Sequence, residues 1–183
     1  MKTLLIGAAR SGKSSLAQRW AGERSQQVCT VVTGIPSDPE MAARIGAHRR
    51  ERPAHWRVRE EPVHLGGALR EEAAAGAGVL LIDCLTLWLS NCLWPAPAVP
   101  TAPEWQPDEA LWAHERAALL TSLAACSAEI IVVSNEVGAG IVPLAAAARR
   151  YQDEHGRLNQ DVAALCEQVF LVIAGLPLRL KPL

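Results

Sequence analysis

The chain has one tyrosine and one phenylalanine, so aromatic side chains apart from tryptophan are scarce. It has no excess of either charge: the formal net charge is -1, which gives no global attraction to nucleic acid or to an anionic membrane. Any anion site must therefore be local. It has no CxxC pair. Cys29, Cys84, Cys92, Cys126 and Cys166 are dispersed through apolar runs, which argues against a zinc ribbon or a thioredoxin-like redox pair and suits a reducing, cytoplasmic compartment. No apolar run reaches the length of a membrane span, and the N-terminal stretch MKTLLIGAARSGK is too short in its apolar part for a signal peptide. Low hydrophobicity is not among the deficits. Half of the 183 residues are hydrophobic and 20% are charged, as expected of one globular domain spanning 1–183.

What is present is an alternation. TLLI (3–6), VCTVVT (28–33), VLLID (79–83), EIIVVSN (129–135) and VFLVIAG (169–175) are continuous apolar runs of strand length. Continuous rather than alternating runs mark parallel strands covered on both faces. Helical segments rich in Ala, Leu and Arg separate them. The expected class is α/β, a doubly wound and mostly parallel sheet flanked by helices. WRVREEP (56–62) and LPLRLKPL (176–183) are candidates for additional edge strands. PAPAVPTAPEWQPD (95–108) carries prolines at 95, 97, 100, 103 and 107 and should be an extended connection that tolerates shortening.

GAARSGKS, residues 7–14, matches G-x-x-x-x-G-K-[ST] and stands where that pattern must stand, after an apolar strand and before a helix starting at Lys13. Gly7 and Gly12 let the backbone turn so that successive N–H groups line one concavity. The following helix adds its N-terminal partial positive charge. Lys13 is placed to reach the β- and γ-phosphates, and the Ser14 hydroxyl to hold Mg²⁺. Asp83, ending the buried run VLLID, suits the second metal-side carboxylate of such a site; the competing reading makes it the cap of the helix that follows. A phosphate loop alone does not choose a reaction.

The stretch MAARIGAHRRERPAHW, 41–56, is the more informative one. Asp38 reads as an N-cap, Pro39 as the first helical residue and Glu40 as a first-turn acid. Met41, Ile45 and His48 then share one helix face, flanked by Arg44, Arg49 and Arg50, with Arg52 a turn further on. One reading is a packed histidine beside solvated arginines. The other is a nucleophile or proton carrier whose guanidinium neighbours clamp a triphosphate and keep the imidazole neutral. His55 and His64 compete for that role on spacing alone. From the residues alone, a P-loop kinase without a covalent step and a nucleotide-dependent switch remain open; neither needs His48.

Together GAARSGKS (7–14), DPEMAARIGAHRRERPAHW (38–56), LIDCLTLWLSN (81–91), SNEVGAGIVP (134–143) and RRYQDEHGRLNQ (149–160) resemble the bifunctional adenosylcobinamide kinase / adenosylcobinamide-phosphate guanylyltransferase family of cobalamin biosynthesis, over nearly the whole chain. The resemblance implies a RecA-like P-loop sheet and a homotrimer. It implies phosphorylation of adenosylcobinamide by ATP or GTP, then transfer of GMP from GTP through a GMP–histidine intermediate to adenosylcobinamide phosphate. The family's R-I-x-x-H-R histidine falls on His48. Its nucleotide contacts fall on Gly7, Ala8, Ala9, Arg10, Ser11, Gly12, Lys13 and Ser14, on Val32, Thr33 and Gly34, on Arg49, Arg50, Glu51 and Arg52, and on Glu60 and Asp83. Ala8 departs from the family's usual second glycine, and the proline-rich stretch at 95–107 is peculiar to this chain, in a region the family varies. Six tryptophans are many for this chain; core packing is expected for at least half of them.

Overall fold

The computed structural model describes residues 1–36, 38–95 and 106–182; within the second helix the side chains of Arg44, His48 and Glu51 lie outside what is described. Among these residues, seven strands form one sheet: β1 (Lys2–Gly7), β2 (Val28–Val32), β3 (Arg57–Glu60), β4 (Val79–Asp83), β5 (Glu129–Asn135), β6 (Gln168–Ile173) and β7 (Leu176–Lys181). Their order is β3-β2-β4-β5-β1-β6-β7. All pairings among β1 to β6 are parallel, and β7 returns antiparallel on β6. Both expected edge strands are present. Two expected ends shift inward. The second run stops at Val32, because Thr33 turns to β4. The fifth stops at Ile173, because Ala174 and Gly175 take φ of 52° and 79° and form the tight turn into β7.

Among the described residues, six helices connect the strands: α1 (Lys13–Arg24), α2 (Pro39–Glu51), α3 (Leu65–Ala74), α4 (Leu85–Leu93), α5 (Glu109–Ala125) and α6 (Ala146–Leu165). Adjacent strand residues point to opposite faces, so Leu4 and Leu5 enter different cores. Leu4 joins Leu65, Leu69, Trp88, Leu119 and Leu158 beneath α3 to α6. Leu5 joins Leu16, Ala21, Trp56, Val133 and Phe170 beneath α1. A sheet covered on both faces explains the unbroken apolar runs. Of the proline-rich stretch, 96–105 lie outside the described residues; its ends meet, with Asp108 N donating to Leu93 O at 2.8 Å.

Trp56, Trp88 and Trp112 are buried core residues. Trp20 sets its ring edge-on to Phe170 at 5.0 Å, Trp94 stacks on Tyr151, and Trp105 lies outside the described residues. Trp88 is fully buried, meets Trp112 edge-to-face at 5.6 Å and donates its indole N–H to Val63 O at 2.6 Å. Truncation at this site leaves a large cavity that the sheet cannot close. Trp88→Ala should therefore cost about 3–5 kcal/mol in urea unfolding, where a surface change costs under about 0.5. A loss below 1 kcal/mol would show that this packing is not what holds α4 to α5.

Candidate functional site

The phosphate loop leaves β1 at Gly7 and enters α1 at Lys13. Its glycines are required by contacts that were not visible in the motif. A Cβ on Gly7 would lie 2.5 Å from Val172 O and 2.8 Å from Ser11 Oγ, and Gly12 has φ 90° with Gly175 Cα 3.0 Å from where its Cβ would stand. Gly175 N donates to Ser11 O at 2.7 Å, so the β6–β7 turn holds the loop from behind. Arg10 takes φ 58°; Ala8 is not among the positive-φ residues, so its methyl is accommodated and the departure from Gly-Gly leaves the loop intact. Ala8, Ala9 and Arg10 are exposed along the loop. Lys13 is buried and donates to Ala8 O at 3.0 Å. Burial lowers its pKa, and the neighbouring Cys84 and Asp83 oppose that shift. A poorly solvated cation beneath a ring of backbone N–H groups favours a polyanion.

Asp83 ends β4 level with Val32 of β2 and Val133 of β5. It is not the cap of α4: the N-cap is Cys84, and it makes no side-chain cap bond. Its two oxygens are used otherwise. Ser14 Oγ lies 3.4 Å from Oδ1, and Arg52 Nη2 lies 3.5 Å from Oδ2. The Arg52 side chain is 7% exposed and its Nε has no partner among the described residues. Arg52 thus reaches from the end of α2 into the phosphate site. Thr33 is also committed. It is fully buried, its hydroxyl donates to Cys84 O at 2.7 Å and accepts from Cys84 N, and its own N–H donates to Asp83 O. It clamps β2 to β4 from within. Glu60 is exposed at the end of β3, opposite Val32.

α2 begins as read: Asp38 Oδ1 accepts from Met41 N at 2.8 Å and Pro39 is the first helical residue. A Cβ on Gly34 would lie 3.3 Å from Leu87 and 3.4 Å from Ile45, so the helix seats on bare backbone at the end of β2. His48 is one turn beyond Ile45, on the Met41–Ile45 face by helical period. The side chains of His48 and Glu51, both expected at the site, lie outside the described ones. Arg49 and Arg50 are exposed. The competitor His64 is placed differently: its Nδ1 meets Glu115 Oε1 at 2.7 Å, and that bond raises its pKa, which disfavours the neutral ring a nucleophile needs. His55 is exposed beyond the end of α2.

A model of the cobinamide kinase / cobinamide phosphate guanyltransferase family matches residues 3–180. The bifunctional adenosylcobalamin biosynthesis protein CobP of Pseudomonas aeruginosa is 48% identical over 99% of this chain and 98% of its own. The bifunctional adenosylcobalamin biosynthesis protein CobU of Escherichia coli K12 is 38% identical over 99% and 100%. This chain belongs to the cobinamide kinase / cobinamide phosphate guanyltransferase family. It is accordingly a transferase of cobalamin biosynthesis. Among solved structures, an ATPase of a type III secretion system of pathogenic bacteria, 12% identical, aligns with 97% of this chain and 56% of its own at TM-score 0.54, a likeness of P-loop fold alone.

Family membership leaves the roles of SNEVGAGIVP and RRYQDEHGRLNQ to the geometry. Asn135 is level with Gly7, and Glu136 N donates to Gly7 O at 3.1 Å. Behind them lies a polar network that sequence reasoning left without roles. His155 is fully buried. Asn159 Nδ2 donates to Asn135 O at 3.0 Å and faces His155 Nδ1 at 3.3 Å. The ring proton therefore belongs on Nε2, toward Thr86 Oγ1 at 3.2 Å, which itself accepts from Asn135 N. Ser134 Oγ donates to Asn159 Oδ1 at 2.7 Å. The network ties the Asp83 segment to the end of β5.

Two outcomes follow. Lys13→Ala should weaken triphosphate binding about 10–100-fold in equilibrium titration, the worth of a charge-assisted contact; unchanged affinity in the folded variant would remove the loop from the site. Burial pushes the His155 imidazole down to about 4, against a small opposing pull from Glu136. Between the ordinary value of 6.5 and about 4, the unfolded chain binds a proton that the folded chain refuses. Stability should then fall on acidification through that window, by on the order of 3 kcal/mol from this residue. His155→Gln should lose less stability than the parent between pH 7 and pH 4.5; an equal loss would contradict the buried neutral ring.

Proposed function

We propose that this chain, as one nucleotide-binding domain, carries out both reactions of its family at one triphosphate site: phosphorylation of adenosylcobinamide by ATP or GTP, then transfer of GMP from GTP to adenosylcobinamide phosphate through His48. The observation that carries this reading is the convergence of Ser14 and Arg52 on Asp83, because it joins the phosphate loop to the helix bearing His48. Gly7 to Ser14 hold the phosphates. Val32 to Gly34, Arg49 to Arg52 and Glu60 surround the rest of the nucleotide. Ser14 and Asp83 offer two hard oxygen donors 3.4 Å apart, which suit Mg²⁺, an ion that keeps most of its waters and takes few protein ligands. Mg²⁺ bound there supplies charge neutralisation for the β- and γ-oxygens.

In the guanylyl step the lone pair of the neutral His48 ring attacks the α-phosphorus. A P–N bond forms, the bond to the bridging oxygen breaks, and pyrophosphate leaves with the electron pair. Lys13 and Arg52 neutralise that leaving group. An oxygen of adenosylcobinamide phosphate then attacks the same phosphorus, the P–N bond breaks, and adenosylcobinamide-GDP is released. The phosphoryl step needs only the loop, the metal and a positioned hydroxyl. A homotrimer is part of the proposal; Leu176, Leu178 and Leu180, which lie uncovered along β7, support a subunit contact there. A cytoplasmic setting fits the five free cysteines.

GTP labelled at the α-phosphate should leave acid-labile label on the parent protein and none on His48→Ala, while His48→Ala still phosphorylates adenosylcobinamide at a rate within about tenfold of the parent. Label persisting in His48→Ala would move the nucleophile elsewhere.

A further inference from the structure

The two reactions require a place for the corrinoid, and the residues discussed so far bind only nucleotide. We propose that the corrinoid acceptor binds in the cleft between the loop after β5, residues 136–144, and the outer face of α6. The inference rests on the family reading of the reaction and adds the location of its second substrate.

The position is the first argument. Ligands of open α/β sheets bind beyond the carboxyl ends of the strands. Glu136 N is bonded to Gly7 O, so the loop that follows starts against the first residue of the phosphate loop. Two residues later, Gly138 lines a cleft of about 480 Å³, with Val142 on the loop side and Gln152, Asp153, Gly156 and Arg157 on the helix side. Another cavity, about 270 Å³ and lined by Arg70 and Ser122, lies at the C-terminal ends of α3 and α5, which lead into the amino ends of β4 and β5, away from the phosphate loop.

The cleft is preformed. Gln152 Nε2 donates to Val137 O at 3.1 Å, and Arg149 Nη1 donates to Pro143 O and Leu144 O at 2.9 and 2.6 Å. These bonds hold the loop along the helix rather than collapsed onto it. The lining then matches the chemistry of the acceptor, a flat apolar macrocycle fringed with carboxamides. Asp153 accepts from amide N–H groups, and Arg157, whose Nη1 is bonded to Glu154, keeps its other donors for amide carbonyls. The loop supplies the apolar part: Ile141, Val142 and Leu144 are 97%, 67% and 99% exposed. The volume suits one edge of the ring, the remainder lying over the loop.

Gly156 is the second, independent argument. It stands inside the 20-residue helix α6, where glycine costs about 1 kcal/mol relative to alanine. A Cβ there would meet nothing within 4 Å. No described residue requires its bareness, in contrast to Gly66, whose Cβ would strike Ala118 backbone at 2.6 Å. A bare patch facing an open cleft leaves room for an external occupant.

The test uses the full-length protein. Gly156→Trp fills the cleft without touching the core, and Gly156→Ala is the small control. In adenosylcobinamide phosphorylation at saturating ATP, Gly156→Trp should raise KM for the corrinoid about tenfold or more, with Gly156→Ala near the parent. GMP labelling from GTP alone should be unchanged in both, since that half-reaction uses no corrinoid. Asp153→Ala and Arg157→Ala, both at exposed positions, should each raise the same KM about threefold to tenfold, the worth of one hydrogen bond to a ligand. A corrinoid KM unmoved in Gly156→Trp and in both alanine variants overturns the proposal. So does a changed oligomeric state of Gly156→Trp in light scattering, which would make this face a subunit contact. A parent protein that phosphorylates no corrinoid at all would overturn the family reading instead.

Discussion

The carboxylate of Asp83 is the point on which the separate parts of the site depend. Parallel register brings the ends of β2, β4 and β5 level, so Asp83 emerges beside Thr33 and one strand away from Ser134. Ser14 approaches it from the phosphate loop and Arg52 from α2. Neither carboxylate nor guanidinium is well hydrated, with side chains 14% and 7% exposed. Such a pair adds little net stability, since desolvation offsets the attraction, but losing one partner strands the other. Its value is positional. It sets the distance between the helix that carries His48 and the loop proposed to hold the phosphates.

Much of this was legible in the sequence. Strands covered on both faces need apolar middles, and LLI (80–82) and IIVV (130–133) supply them. The phosphate loop has a fixed spacing because its backbone must turn. Asp38 and Pro39 announce α2 through local chemistry. What was not legible joins residues far apart in the chain: Gly175 N on Ser11 O, Arg52 on Asp83, Thr33 on Cys84. Thr33 falls within a stretch of expected nucleotide contacts, and the structure shows its hydroxyl spent on holding two strands together. α6 was hidden for a different reason. Its inward face carries Glu154, His155 and Asn159, buried polar residues that no apolar stripe marks in the sequence.

The electrostatics are local, as a net charge of -1 demands. Lys13 is buried below the loop, Arg52 is buried beside Asp83, and Arg49 and Arg50 stand exposed on the same helix. Three tiers of cation suit a substrate that arrives as a triphosphate and departs as pyrophosphate. The histidines are sorted by the same logic. His64 is drawn toward the imidazolium by Glu115, and His155 is kept neutral but sealed from solvent and substrate. Neither is suited to attack a phosphorus atom.

The central claim is that loop, metal-side carboxylate and α2 form one triphosphate site. A crystal structure of the full-length protein with Mg²⁺ and a non-hydrolysable GTP analogue tests it most directly. The account predicts β- and γ-phosphates cradled by residues 7–14, the metal beside Ser14 and Asp83, and the α-phosphorus facing His48 Nε2 or Nδ1 with Arg52 on the phosphate oxygens. A triphosphate seated in the loop with α2 and Arg52 turned away from it, or bound elsewhere on the sheet edge, would contradict it.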